Sequence, residues 1–245
     1  MLETCLLVCL GLLVGAMDAY VFRHMPAGWL LDYGETDLEA AEKAQAGFQY
    51  FPHGLLLMLS DGFIFGCAHL TMGITLRLFI VLYIAQPLLL MMAADFRTRI
   101  IPDQFIIALL PGGVLLWLID GFSGEVPFLR GLLLRVGAGL LAGLLLYGCG
   151  FIAGRLMKRE AMGMGDVKLL SACAFVTGLS DLPFLFFLSF LTAALVAIPI
   201  LISRLWRTTE PEIAFGPYIA ISTLLLLLFS DQIRNLWQAY LALVS

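Results

Sequence analysis

Charge is what this 245-residue chain has little of: 13% of its residues are Asp, Glu, Lys or Arg, while 61% are hydrophobic. Soluble domains carry roughly 25% charge. A mean hydropathy of +0.98 excludes an ordinary soluble globule and a disordered chain alike. Bases are the scarcer sign, with 14 Lys and Arg against 18 Asp and Glu and a net charge of −4. No basic face is left to neutralise phosphates, so nucleic acid is excluded as a partner. Cysteine is sparse and scattered. Cys5, Cys9, Cys67, Cys149 and Cys173 all lie in apolar runs, and none forms a CxxC pair. They read as small buried apolar side chains rather than zinc ligands. The first apolar run, Leu6 to Phe22, follows Glu3 rather than a basic stretch, which reads as a retained span and not a removed signal peptide. No long internal repeat is visible.

What the chain has is apolar runs in quick succession. A span needs ~20 apolar residues. The first runs from Leu2 to Phe22, and others are expected near 54–73, 77–94, 102–119, 129–153, 167–180, 183–203 and 214–230. The run at 167–180 is short for a span. The fold class is therefore all-α, a polytopic membrane helix bundle of about eight transmembrane helices. Residues 1–53 form the first span plus a short polar segment, and 54–245 the membrane-embedded bundle. The polar segment holds Asp32, Glu35, Asp37, Glu39 and Glu42 against the single base Lys43, and Thr36 to Ala46 has the pattern of a surface helix capped by Thr36 or Asp37. The segment is too short to bury a core alone. Asp231 to Ser245, with Trp237 and Tyr240, suits an interfacial helix. Eight spans put both termini on one side. One set of loops carries Arg23, Lys43, Arg97, Arg99, Arg155, Lys158, Arg159, Arg204 and Arg207, and the other Arg77, Arg130, Arg135 and Arg234. The positive-inside rule places the richer set in the cytoplasm.

Two junctions on that side stand out. In Asp95-Phe-Arg-Thr-Arg-Ile-Ile-Pro-Asp103 a span ends, a basic turn follows, and Pro102 opens the next helix, where its missing N–H would be unpaired anyway. Asp103 meets the positive end of the helix dipole. In Glu160-Ala-Met-Gly-Met-Gly-Asp-Val-Lys168, Gly163 and Gly165 precede Asp166 at the start of an apolar helix. The glycines leave room for an extended peptide beside a carboxylate. Read singly, Asp95 is a charged span end, Asp103 a helix-start residue and Asp166 a cap. Together, two carboxylates at one membrane depth have a use. Carboxylates that meet cannot both ionise, so one proton is shared. The ionised partner then acts as base on a water, and the protonated one polarises a carbonyl and feeds the leaving amine.

These residues resemble the type IV prepilin peptidases, integral-membrane aspartic peptidases of the GxGD group (peptidase family A24). Asp95 and Ile101-Pro102-Asp103 match one family motif. Glu160, Met162, Gly163, Gly165, Asp166, Lys168 and Leu169 match a second, and Phe215, Gly216, Pro217 and Tyr218 a third. The likeness covers about 75–230. It implies that Asp95 and Asp166 are the catalytic pair and that Asp103, Lys168 and Glu160 support them. It implies that Met162, Gly163, Gly165, Pro102, Phe215, Gly216 and Pro217 line the substrate channel. By the same resemblance the enzyme sits in the bacterial cytoplasmic (inner) membrane and faces the cytoplasm. It removes a basic leader from type IV prepilins or type II secretion pseudopilins, cutting after a glycine. The expected partners are those substrate N-terminal segments and the lipid bilayer. The acidic stretch from Asp32 to Glu42 is either a solvated loop or an attractor for a basic leader.

The chain departs from the family in one region. Many members also methylate the new N-terminus with S-adenosylmethionine, and their first cytoplasmic loop carries two CxxC pairs that bind zinc. Here that loop has no cysteine, and the family's Gly-Ser-Phe-x-Asn reads Gly15-Ala16-Met17-Asp18-Ala19. Zinc is not expected, no cofactor is expected for peptide cleavage, and S-adenosylmethionine is expected only if methylation is retained. Asp61, with Ser60 and Gly62 beside it, suggests an interrupted helix with a structural or groove role. Asp18 reads as interfacial, and His24 and His53 as solvated. Gly137, Gly139, Gly143, Gly148 and Gly150 read as helix-packing positions. Two other classes stay open: an inactive relative serving assembly, and a proton-coupled transporter, which expects polar groups near the bilayer midplane.

Overall fold

The computed structural model describes residues 1–31, 37–124, 126–158, 162–204 and 214–244. Among these every regular element is helical: α1 Leu2–His24, α2 Leu38–Ala46, α3 Leu55–Met72, α4 Leu76–Thr98, α5 Asp103–Phe122, α6 Phe128–Met157, α7 Met164–Thr177, α8 Leu182–Arg204 and α9 Gly216–Val244. The chain is a multi-pass membrane protein. Seven of the described helices are long and apolar enough to cross a bilayer. They turn Leu6, Leu13, Phe63, Leu129, Leu140 and Leu144 outward, an apolar surface that only lipid or another protein can cover.

The expected span at 167–180 is α7, and it begins and ends three residues earlier. Its 14 residues rise only ~21 Å, short of the ~30 Å hydrocarbon core. It nevertheless runs from one end of the bundle to the other side. Lys168 in its first turns holds Asp103 at the start of α5, while the Val176 carbonyl at its far end accepts from Arg135. Leu169, Leu170, Cys173, Ala174 and Val176 are buried against neighbouring helices. A helix enclosed by protein need not match the lipid thickness. With α7 included, the bundle holds eight of the described helices.

The ends of the bundle differ in content. At one end Arg77 and Arg135 converge on Asp120, and Arg234 pairs with Asp181 at 2.6 Å. At the other lie Asp95, Asp103, Asp166 and Gly216, and this is called the site end below. The expected partition of bases follows the same division for the residues described: Arg97 reaches the 47–53 segment at the site end, and Arg77, Arg135 and Arg234 sit opposite.

α1 lies so close along α3 that side chains are excluded between them. A Cβ on Gly15 would fall 2.5 Å from Met58 Cα, and one on Gly11 2.8 Å from the Asp61 carbonyl. The polar segment docks on the site end instead of forming its own core. Asp37 caps α2 by accepting from Ala40 N–H at 3.1 Å, which settles the choice left open between Thr36 and Asp37. Gln45 Nε2 donates to the carbonyls of Phe22 and Met25 at 2.9 and 2.7 Å, satisfying the free end of α1. Phe48 and Leu30 are buried, and Trp29 meets Phe105 edge-on.

Several expectations are corrected. The helix around Asp61 is unbroken from Leu55 to Met72, because Gly62 is used to admit α1 (Leu12 lies 3.0 Å from its would-be Cβ) rather than to break the helix. Asp18 is 7% exposed and not interfacial. His53 is not simply solvated, for it contacts Arg97 Nη2 at 3.2 Å and packs on Phe48. Of the five α6 glycines expected to serve packing, Gly139 and Gly143 admit Ser171 of α7 and Gly150 admits Met162, but Gly137 and Gly148 face open space. α9 is broken by a kink at Phe229 (φ −132, ψ 26), and a second helical stretch follows it to Val244, with Trp237 edge-on to Phe184. The side chain of Tyr240 lies outside the described residues.

Candidate active site

Asp95 sits in the last turn of α4 and is 3% exposed. α4 stops at Arg99, which adopts the left-handed conformation at φ 57 and returns its N–H to the Asp95 carbonyl at 2.9 Å. That turn sets the direction of Ile100 to Pro102. Pro102 is the cap of α5 rather than its first residue, and Asp103 takes the first helical position. Arg99 was counted only as a loop charge in the sequence. Its charge acts on Asp95, and a non-glycine residue in a left-handed junction is the feature that makes it specific.

Asp166 is half-buried at the third position of α7, whose cap is Gly163. It is therefore not the cap itself. Its carboxylate reaches back to the Gly163 backbone N–H, the reciprocal half of a capping box. This arrangement aims the side chain toward α4, and the carboxylates of Asp95 and Asp166 come within reach of one another's charge. The two junctions, far apart in sequence, thus meet at one end of the bundle.

The third motif closes the site. Gly216 opens α9, and its backbone N–H faces the Asp95 carboxylate. A Cβ on Gly216 would lie 2.6 Å from Asp95 Oδ2 and 3.0 Å from Ile101 Cδ1. A Cβ on Gly165 would meet Ile101 at 3.3 Å. Ile101 is therefore wedged between the two glycine junctions, a role its sequence position did not disclose. Pro217 and Tyr218 are buried beneath, and Phe215 packs on Phe190 with ring centroids 5.3 Å apart. Asp95 Oδ2 is buried without a hydrogen-bond partner among the described residues. An orphaned acceptor of that kind calls for a proton, a water or a substrate group. Lys168 Nζ holds both oxygens of Asp103 at 3.0 and 2.9 Å, tying the first turns of α5 and α7 together. Met162 packs on Gly150, and Met164 is 56% exposed. Glu160 lies outside the described residues, as do Asp32, Glu35 and Thr36 of the polar segment.

The model of the type IV leader peptidase family matches residues 80–198, a stretch that contains Asp95, Asp103, Asp166 and Lys168. Over this stretch the chain is similar to the type IV leader peptidase family. Relatives named prepilin leader peptidase/N-methyltransferase are similar to it. The one from Aeromonas hydrophila is 34% identical over 144 residues, 58% of this chain and 46% of that protein. The Pseudomonas aeruginosa protein is 30% identical over 180 residues, covering 74% and 59%, and the Bacillus subtilis protein 30% over 176 residues, covering 71% and 65%. The chain spans about half the length of the first of these. No solved structure matches it. The family stretch leaves out α1 to α3 and the Phe215–Tyr218 motif, so Gly216 enters the site on geometry.

A second carboxylate group was missed as a unit. Asp61 is fully buried and accepts from Gln86 Nε2 at 3.1 Å. Asp18 on α1 feels its charge, and Asp18 Oδ2, Asp61 Oδ2 and Gln86 Oε1 all lack partners among the described residues. The signal was available: two aspartates inside apolar runs are costly without a use or a partner. Residues 27–53 hold no cysteine.

Proposed function

We propose that this chain is an aspartic endopeptidase that removes the basic leader from type IV prepilins or type II secretion pseudopilins. It cuts after a glycine at the cytoplasmic face of the inner membrane, with Asp95 and Asp166 as the catalytic pair. The observation that carries this reading is that Asp95 and Asp166, on separate helices, lie near enough for the charge of Asp95 to act on Asp166, with the Gly216 backbone beside Asp95.

In the step proposed, the ionised carboxylate takes a proton from water as its oxygen bonds the scissile carbonyl carbon. The protonated carboxyl donates to the carbonyl oxygen, and the tetrahedral adduct collapses with a proton passing to the leaving amine. Water supplies both new groups, an acid on the leader and an amine on the product. Gly163 and Gly165 leave the chain thin beside Asp166, where an extended peptide can lie, and Met162, Pro102, Phe215, Gly216 and Pro217 flank it. The Lys168–Asp103 pair holds the two junctions in register. No step passes through zinc or S-adenosylmethionine. Methylation of the product is a separate activity, carried by the relatives' names.

The test is cleavage of a prepilin-like peptide (basic leader, glycine, apolar helix) by the purified chain in a bilayer, with products weighed by mass spectrometry. A single cut after the glycine is expected; an intact peptide or a cut elsewhere contradicts the reading. The transporter reading has one observation in its favour, the buried Asp18–Asp61–Gln86 group. It predicts peptide-independent proton flux into the same vesicles, abolished by Asp61→Asn, with no cleavage.

A further inference from the structure

One feature at the site end belongs to neither carboxylate group. A cleft of about 530 Å³ opens between the end of α6 and the start of α7, within the size range of ligand sites. One wall is a ladder along a single face of α6. Tyr147 and Phe151 stack with ring centroids 6.4 Å apart, and the Arg155 guanidinium lies 4.7 Å over the Phe151 ring. The opposite wall is Met162 and Val167 of the α7 junction. Gly150 and Gly154 lie between the walls, and the slot is apolar along most of its length. Arg155 and Lys158, both exposed, also line it, and no carboxylate does among the described residues. Neither cation has an ion-pair partner among the described residues.

We propose that this cleft is a site for one anionic phospholipid, with its phosphate between Arg155 and Lys158 and an acyl chain in the slot between the Tyr147–Phe151 ladder and Met162. The apolar slot and the two neighbouring cations, Arg155 and Lys158, choose the occupant together. An apolar helix would offer the two cations no anion, and a free phosphate would leave the slot unfilled. Guanidinium planes suit phosphate oxygens, and basic pockets between transmembrane helices at one membrane face recur as anionic-headgroup sites. Phe151 holds the Arg155 guanidinium in place before the lipid arrives, which lowers the ordering cost of binding. The site adjoins Met162 and Met164, so an occupant braces the turn that carries Asp166. The proposal stands apart from the peptidase reading, because its test uses no peptide.

The experiment is native mass spectrometry of the full-length protein in a neutral detergent. It is titrated with phosphatidylglycerol, with phosphatidylcholine of the same chains, and with glycerol phosphate alone. Retention of one phosphatidylglycerol in preference to phosphatidylcholine is expected. The double variant Arg155→Gln, Lys158→Gln should lose that preference by roughly thirtyfold. Arg130→Gln, at the opposite end of α6, should leave it unchanged, and Phe151→Ala should weaken both lipids. Equal binding of the two lipids, a preference that survives the double variant, or equal competition by glycerol phosphate would each overturn the proposal.

Discussion

Replacing Gly216 by alanine separates the geometry of the site from the stability of the fold. The added Cβ would stand 2.6 Å from Asp95 Oδ2, 3.3 Å from its Cγ and 3.0 Å from Ile101 Cδ1. Carbon contacts are comfortable at about 3.5 Å, so the carboxylate oxygen must retreat by roughly 0.9 Å. The obstacle is the tip of a rotatable side chain, not backbone, so the helices need not part. The stability loss is expected near the bottom of the overpacking range, about 1 kcal/mol. The rate is another matter. A misplacement of ~1 Å costs about a hundredfold, equivalent to about 3 kcal/mol of transition-state stabilisation. The assay is initial cleavage rate in bilayers, paired with a thermal melt of the same preparation. Gly137→Ala is the companion. Its Cβ would face open space, and its rate should stay within about threefold of wild type. A Gly216→Ala protein that cleaves at the wild-type rate would refute the placement of Gly216 against Asp95.

Four further outcomes are expected. Exchanging the pair as Asp103→Lys, Lys168→Asp should restore most of the activity that either single change removes. Both side chains are more than a third exposed, so each single change should cost stability of only ~1 kcal/mol or less in a melt. Gly15→Ala should unfold more readily by about 3 kcal/mol, because its Cβ meets Met58 Cα at 2.5 Å, whereas Gly137→Ala, facing open space, should be neutral or more stable by up to ~1 kcal/mol. Arg135→Gln should lower stability by about 3 kcal/mol, since it strips a buried partner from Asp120 and from the Val176 carbonyl at the end of α7. Cleavage should persist in excess EDTA and without S-adenosylmethionine; loss of cleavage on chelation would contradict a two-carboxylate mechanism.

The spans were legible because ~20-residue apolar runs between charged turns leave few alternatives in a bilayer. Their ends moved by a few residues where capping decides, as at Pro102 and Gly163. That the Asp95 and Asp166 junctions share one end of the bundle was legible from putting both at one depth. What escaped was whatever depends on neighbours far away in sequence. Ile101 is an ordinary aliphatic residue until Gly165 and Gly216 converge on it. Asp18 looks interfacial in a one-dimensional count, because only the close α1–α3 approach, permitted by Gly11 and Gly15, buries it beside Asp61. Gly62 reads as a helix breaker by propensity, yet its missing side chain serves packing.

The most direct test replaces Asp95 and Asp166 one at a time by asparagine, which keeps shape and removes the titratable group. The folded state is checked by melting, and cleavage at the glycine is followed in bilayers. Each variant should stay folded and lose at least a thousandfold in rate, with the double variant no worse than either single one, because the two groups act as a unit. A single variant that still cuts the peptide within tenfold of wild type would contradict the assignment of the catalytic pair.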